Sequence, residues 1–95
     1  STALRDWDTK KWFGLLMFHN DRWIVNLKLK PEEVLFYRDI YEGVTEAYHM
    51  NKVHWITLYL DSDVPTEEIE DLTLRSFGLT KSKDKKKTKK RKEAL

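Results

Sequence analysis

Residues 47–61, AYHMNKVHWITLYLD, hold the densest group of chemically versatile side chains in the chain: His49, Asn51, Lys52 and His54, interleaved with Tyr48, Met50 and Trp55. Imidazoles can ligate a metal or move a proton, and a lysine beside them can meet an anion. A zinc site needs three or four converging ligands. His49 and His54 stand five residues apart, so on one continuous strand they would point to opposite faces. Asp61 and Asp63 would join them only if the following loop folded back. Ser76 and His49 could meet in space as nucleophile and base, but nothing in the local sequence requires it. With no cysteine there is no thiolate chemistry and no disulfide. Gly14, Gly43 and Gly78 are isolated, so there is no Gly-rich phosphate loop. No catalytic residue, metal or cofactor is assigned. Two readings remain for the segment: a turn that launches a strand, with Asn51 supplying the turn, or a ligand- or partner-binding surface made by His49, Asn51, Lys52, His54 and Trp55.

The elements that would position these residues follow from the apolar pattern. WFGLLMF (12–18) is apolar throughout, as in a strand buried on both faces. HND (19–21) supplies turn residues, and RWIVNLKLK (22–30) then alternates. Trp23, Val25, Leu27 and Leu29 take one face; Asn26, Lys28 and Lys30 take the other. Pro31 followed by Glu32 and Glu33 is a helix start, with carboxylates at the positive end of the helix dipole. Val34, Tyr37 and Tyr41 make its inward stripe, widened by Leu35 and Phe36, and Gly43 can stop it in a left-handed cap. A third strand covers about 54–60. Pro65 and four acids open a second helix over about 65–77, which Gly78 ends or kinks. Residues 1–11 read as an irregular lead-in and 43–53 as a link. The layout is α+β: an antiparallel sheet (strands about 12–18, 22–30 and 54–60) with helices about 31–41 and 65–77 on one face. Such a core is thin, and three of the four Trp (Trp7, Trp12, Trp23, Trp55) are expected to fill it.

Charge is divided along the chain. Residues 1–80 carry nine Lys and Arg against fourteen Asp and Glu, a net of −5, whereas residues 81–95 carry nine against two, a net of +7. The expectation is a folded domain over 1–80 and a disordered basic tail over 81–95. Lys85, Lys86, Lys87, Lys89, Lys90 and Arg91 in that tail would bind phosphates without sequence preference and with steep salt dependence. Within the domain a local basic patch would draw on Lys10, Lys11, Arg22, Lys28, Lys30 and Lys52. No apolar run approaches the roughly 20 residues of a membrane span, and the cysteine-free composition fits a reducing cytoplasm.

The run Tyr48, His49, Met50, Asn51, Lys52, then His54-Trp55, a β-run, Asp61, Val64-Pro65, Glu67 and Ser76-Phe77 resembles the MmcQ/YjbR family of small bacterial proteins. KKWFGLLM (10–17) and NLKLKPEEV (26–34) are similar to that family's first hairpin and following helix, so the resemblance covers about residues 7–80. It implies a secretion-chaperone-like α/β fold and a non-enzymatic, DNA-binding "double-wing" protein. Lys28, Lys30 and Lys52 are then the domain's candidate DNA contacts. The alternative is a protein- or small-ligand-binding module that uses the sheet's polar face and residues 48–55. Members of the family usually carry a helix before the first strand, and this chain begins inside that region.

Overall fold

The computed structural model of the protein describes residues 1–94; of residues 82–94 it gives the helical backbone alone. Five strands, β1 (Thr2–Arg5), β2 (Trp12–His19), β3 (Arg22–Lys28), β4 (Val44–Glu46) and β5 (Trp55–Tyr59), form one antiparallel sheet in the order β1-β2-β3-β5-β4. Helix α1 (Pro31–Ile40) joins β3 to β4, and α2 (Thr66–Ala94) follows β5. The β2–β3 hairpin turns on Asn20 and Asp21, both at positive φ (51° and 60°). That conformation matches the right-handed twist of the flanking strands. No helix among the described residues is long and apolar enough to cross a membrane.

Both helices pack on one face of the sheet. Val25 and Leu27 of β3, Ile56 and Leu58 of β5 and Val44 of β4 meet Val34 and Tyr37 of α1 and Leu72 of α2 in a single buried cluster. Leu4, Leu16, Tyr41 and Ile69 close its margin. The expected α+β layout is present, with two further strands. β1 and β4 are edge strands of four and three residues, too short and too polar to show a period of two.

Several local expectations are corrected. β3 ends at Lys28, not at residue 30, and Lys30 is the residue that caps α1. Asn26, expected on a solvated face, is fully buried, as is its neighbour Ile24. β2 is mostly half-buried, not enclosed on both sides. Trp7, Trp12 and Trp23 are 84%, 42% and 52% exposed, and Trp55 is half-buried, so the tryptophans do not fill the core. Leu35 and Phe36 face outward and leave the inward stripe of α1 to Val34 and Tyr37. Gly43 is not left-handed. Glycine is required there because a Cβ would come within 1.9 Å of the Ser62 hydroxyl, and the chain turns there because the Asp63 carboxylate accepts the backbone N–H groups of Glu42 and Gly43 (2.9 and 2.7 Å). Gly78 does not end α2, which passes through it, so the expected end near residue 77 is too early. The expected tail begins, at Lys81, in ordered helix; its remaining side chains, with Lys85, Lys86, Lys87, Lys89, Lys90 and Arg91, lie outside the described residues.

Two polar anchors fix α2 to the sheet. The buried Ser76 hydroxyl donates to the carbonyl of Phe13 in β2 and accepts the backbone N–H of Lys28 in β3 (2.9 Å). Beside it, Phe77 meets Phe13 edge-on at 5.2 Å. Four residues on, the Thr80 hydroxyl donates to the buried carboxylate of Asp6, which also accepts the backbone N–H groups of Asp8 and Thr9. Lys81 lies 3.4 Å from the same carboxylate. The Thr80 hydrogen bond, the two backbone donors and Lys81 hold the Asp6 carboxyl down to about 2, against burial, which pushes it up.

Two outcomes test these anchors. Ser76→Ala strands a buried N–H and a buried carbonyl, and is expected to cost about 1–3 kcal/mol in denaturant unfolding. Asp6 stabilises the fold fully above the ordinary carboxylate value of 3.8, and that contribution is lost as pH falls from 3.8 towards 2. Thr80→Val, which removes the largest cause of the shift, should therefore flatten the acid limb of a stability–pH curve relative to the parent; superimposable limbs would rule the Asp6 anchor out.

Candidate nucleic-acid interface

Residues 47–54, so prominent in the sequence, lie across the face of the sheet opposite the helices. Asn26 and Thr57 are paired neighbours on β3 and β5, and their side chains point to that face. The Thr57 hydroxyl donates to Asn26 Oδ1 (2.6 Å) and accepts the backbone N–H of Tyr48 (2.8 Å), while Asn26 Nδ2 donates to the Tyr48 carbonyl (2.8 Å). Two side chains thus satisfy the main chain of Tyr48 as a neighbouring strand would. His19, on the same face, stacks on the Tyr48 ring at 4.1 Å, and His49 on Tyr48 at 4.0 Å.

The turn that follows consumes most of the expected site. Asn51 Oδ1 accepts the N–H groups of Val53 and His54 (2.8 and 3.1 Å), the turn role its residue type suggests. The left-handed residue is His49 (φ 60°), not Asn51. Lys52 folds back onto the Ala47 carbonyl (3.0 Å) and lies 3.6 Å from Glu46. Asn51 is thus bound to the backbone of His54, while Lys52 is turned towards the end of β4. Ser76 is engaged by Phe13 and Lys28, not by His49. Asp61 is bound by Arg22 and Asp63 by the backbone of 42–43, and among the described residues no group of three His, Cys, Asp or Glu could hold a metal.

A different constellation forms at the end of the sheet where α2 is anchored. Lys11 and Trp12 at the start of β2, Lys28 at the end of β3, Lys30 at the cap of α1 and His54 before β5 line an open groove of about 590 Å³. Leu29, Pro31, and Leu79 and Thr80 of α2 complete its lining. The backbone N–H of Leu29 donates to the His54 carbonyl (2.9 Å), which fixes His54 beside the β3–α1 junction. Among the described residues no carboxylate lines the groove, and Lys11, Lys28 and Lys30 are held in no ion pair. Four other cations are committed, Arg22 to Asp61, Lys52 to Glu46, Arg75 to Glu33 and Asp71, and Lys81 to Asp6 and Asp8, while Arg5 and Lys10 lie over the Trp12 and Trp7 rings. Of the local basic patch read from sequence, the groove gathers Lys11, Lys28 and Lys30, and of the 48–55 segment it takes His54. Lys11 and Trp12 escaped notice as a pair because they were read as the end of an irregular lead-in and the start of a buried strand.

A family profile described as YjbR matches residues 3–79. The uncharacterized protein YyaQ of Bacillus subtilis is 38% identical to the chain, over 83% of this chain and 75% of its own length. The uncharacterized protein YjbR of Escherichia coli K12 is 34% identical, over 68% of this chain and 55% of its own. The chain thus spans little more than half of that relative, and 39% of the Escherichia coli protein YbdF, to which it is 42% identical. Among solved structures, the crystal structure of a Pseudomonas syringae protein superposes with a TM-score of 0.74 at 38% identity, covering 82% of this chain and 74% of that one. A Deinococcus radiodurans protein superposes with a TM-score of 0.74 at 28% identity, covering 86% and 60%.

If Asn26 and Thr57 clamp residues 47–54, Asn26→Leu should destabilise the domain by about 1–3 kcal/mol and speed amide exchange at Tyr48, whereas Lys52→Ala, at an exposed site, should stay within about 0.5 kcal/mol. Unchanged exchange at Tyr48 in the Asn26 variant would show that something else holds the segment.

Proposed function

The chain belongs to the YjbR family, and from that membership and the basic groove we propose that it is a non-enzymatic, cytoplasmic DNA-binding protein whose domain contacts phosphates through Lys11, Lys28 and Lys30. The observation that carries this reading is the trio of lysines without ion-pair partners among the described residues, in a groove that no described carboxylate lines. A domain with a net charge of −5 over residues 1–80 repels a polyanion over most of its surface. Binding by the domain is then favoured where positive charge is gathered, and among the described residues the groove gathers three lysines. His54 adds a hydrogen-bonding ring at the groove's margin. Lys85, Lys86, Lys87, Lys89, Lys90 and Arg91 would add affinity without specificity, each neutralised phosphate releasing counterions.

A second reading rests on a separate observation. Leu35, Phe36 and Ile40 on the outer side of α1 are 67%, 56% and 46% exposed, an apolar face of the kind that a protein partner covers. A secretion-chaperone-like module would bind a protein or small ligand in this way.

A salt titration of DNA binding by the intact chain separates the two. Neutralising Lys11, Lys28 and Lys30 together by Gln should weaken binding and reduce the slope of log K against log salt by about 2–3. An unchanged slope would assign any binding to the tail alone, and no binding at low salt would leave the protein-binding module as the reading.

A further inference from the structure

The groove's shape and its aromatic wall say which form of nucleic acid it admits. We propose, resting on the nucleic-acid reading above, that the groove takes an unpaired strand, with one base stacked on Trp12 and the adjoining phosphates on Lys11, Lys28 and Lys30. Trp12 is 42% exposed although it opens a strand of the sheet. Its cross-strand partner is Arg5, whose guanidinium lies over the ring at 5.5 Å. The contact steadies the indole without burying it, as a cation over an aromatic face does. An exposed, held indole at the wall of a cationic groove is the arrangement by which single strands are bound: phosphates follow the charge and bases find a flat ring.

Size points the same way. At about 590 Å³ the groove lies within the roughly 300–1,000 Å³ of sites that enclose a drug-sized molecule. A nucleotide with its base splayed out fits such a concavity. The convex backbone of a duplex, with its bases stacked inside, offers Trp12 no free ring face. A helix or ribbon that enters a duplex groove must itself project, whereas Lys11, Trp12, Lys28 and Lys30 line a recess.

The test compares a fluorescently labelled deoxythymidine oligonucleotide of ten residues, the matching duplex, and an abasic strand of the same length, each titrated with the intact chain at low salt. The single strand should bind more tightly than the duplex and quench tryptophan emission. Trp12→Ala should lose roughly tenfold in affinity for the thymidine strand, with little change for the abasic strand, and Trp12→Phe should restore most of the loss. A ribouridine strand in parallel reads the preference between DNA and RNA. Equal binding of duplex and single strand, or a Trp12→Ala variant that binds the thymidine strand as the parent does, overturns the single-strand proposal while leaving phosphate binding by the groove standing. Loss of all three ligands' binding on neutralising the lysines, with no effect of Trp12, overturns it too. No binding of any of the three strands overturns both.

Discussion

One buried hydroxyl ties α2 to two strands of the sheet at once. Ser76 bonds to β2 through the Phe13 carbonyl and to β3 through the Lys28 amide, so one side chain of α2 fixes the distance between two strands as well as its own height above them. Several residues of the basic groove lie next to this point in the chain. Trp12 and Lys11 precede Phe13, Lys28 is the residue whose amide is bound, and Thr80 lies one turn further along the helix. A serine here cannot be exchanged for an apolar residue of similar size without leaving two backbone groups unpaired in the interior. Among the described residues no buried side-chain nitrogen or oxygen lacks a partner, and the sheet therefore meets its helix with its polar groups matched.

The opposite face of the sheet is closed by different means. Where a third helix or a second sheet would ordinarily lie, residues 47–54 cross the strands and are held by the side chains of Asn26 and Thr57. The device replaces strand pairing with side-chain pairing. It buries two polar residues, Asn26 and Thr57, but satisfies them in full, which is the condition under which a buried polar network rigidifies rather than destabilises. The main chain of Tyr48 is thus spent on covering the sheet, and the residue the segment contributes to the groove, His54, is placed by its backbone.

The sequence revealed elements with strong periodicity and the family to which they belong, and it concealed the elements and sites whose signals are not local. The β2–β3 hairpin, α1, β5 and the start of α2 carry alternation, proline starts and acidic first turns. β1 and β4 carry none of these, because an edge strand of three or four residues needs only backbone pairing with its neighbour. Asn26 misled because an Asn between apolar residues on an alternating strand reads as solvated; only the return of Tyr48 over it, 22 residues away, makes it interior. Lys28 and Lys30 were visible as cations, but their meeting with Lys11, Trp12 and His54 depends on the order of strands in the sheet. The tryptophans misled through size: a small domain needs bulk in its core, yet here Ile, Leu and Val supply it and the indoles stay at the rim.

The anchor between Asp6 and Thr80 joins residues 74 apart, and that between Phe13 and Ser76 joins residues 63 apart. Contacts of such long sequence separation demand that nearly the whole domain be ordered before they form, and closing so long a loop is entropically costly and slow. On the ribosome the hairpin, α1 and β5 emerge well before residues 76–80, so they can pair early, while the groove waits for α2. The groove is thereby the last part of the sheet's surroundings to be completed during synthesis, and a chain stopped short of residue 79 would display the sheet without the Leu79 and Thr80 lining.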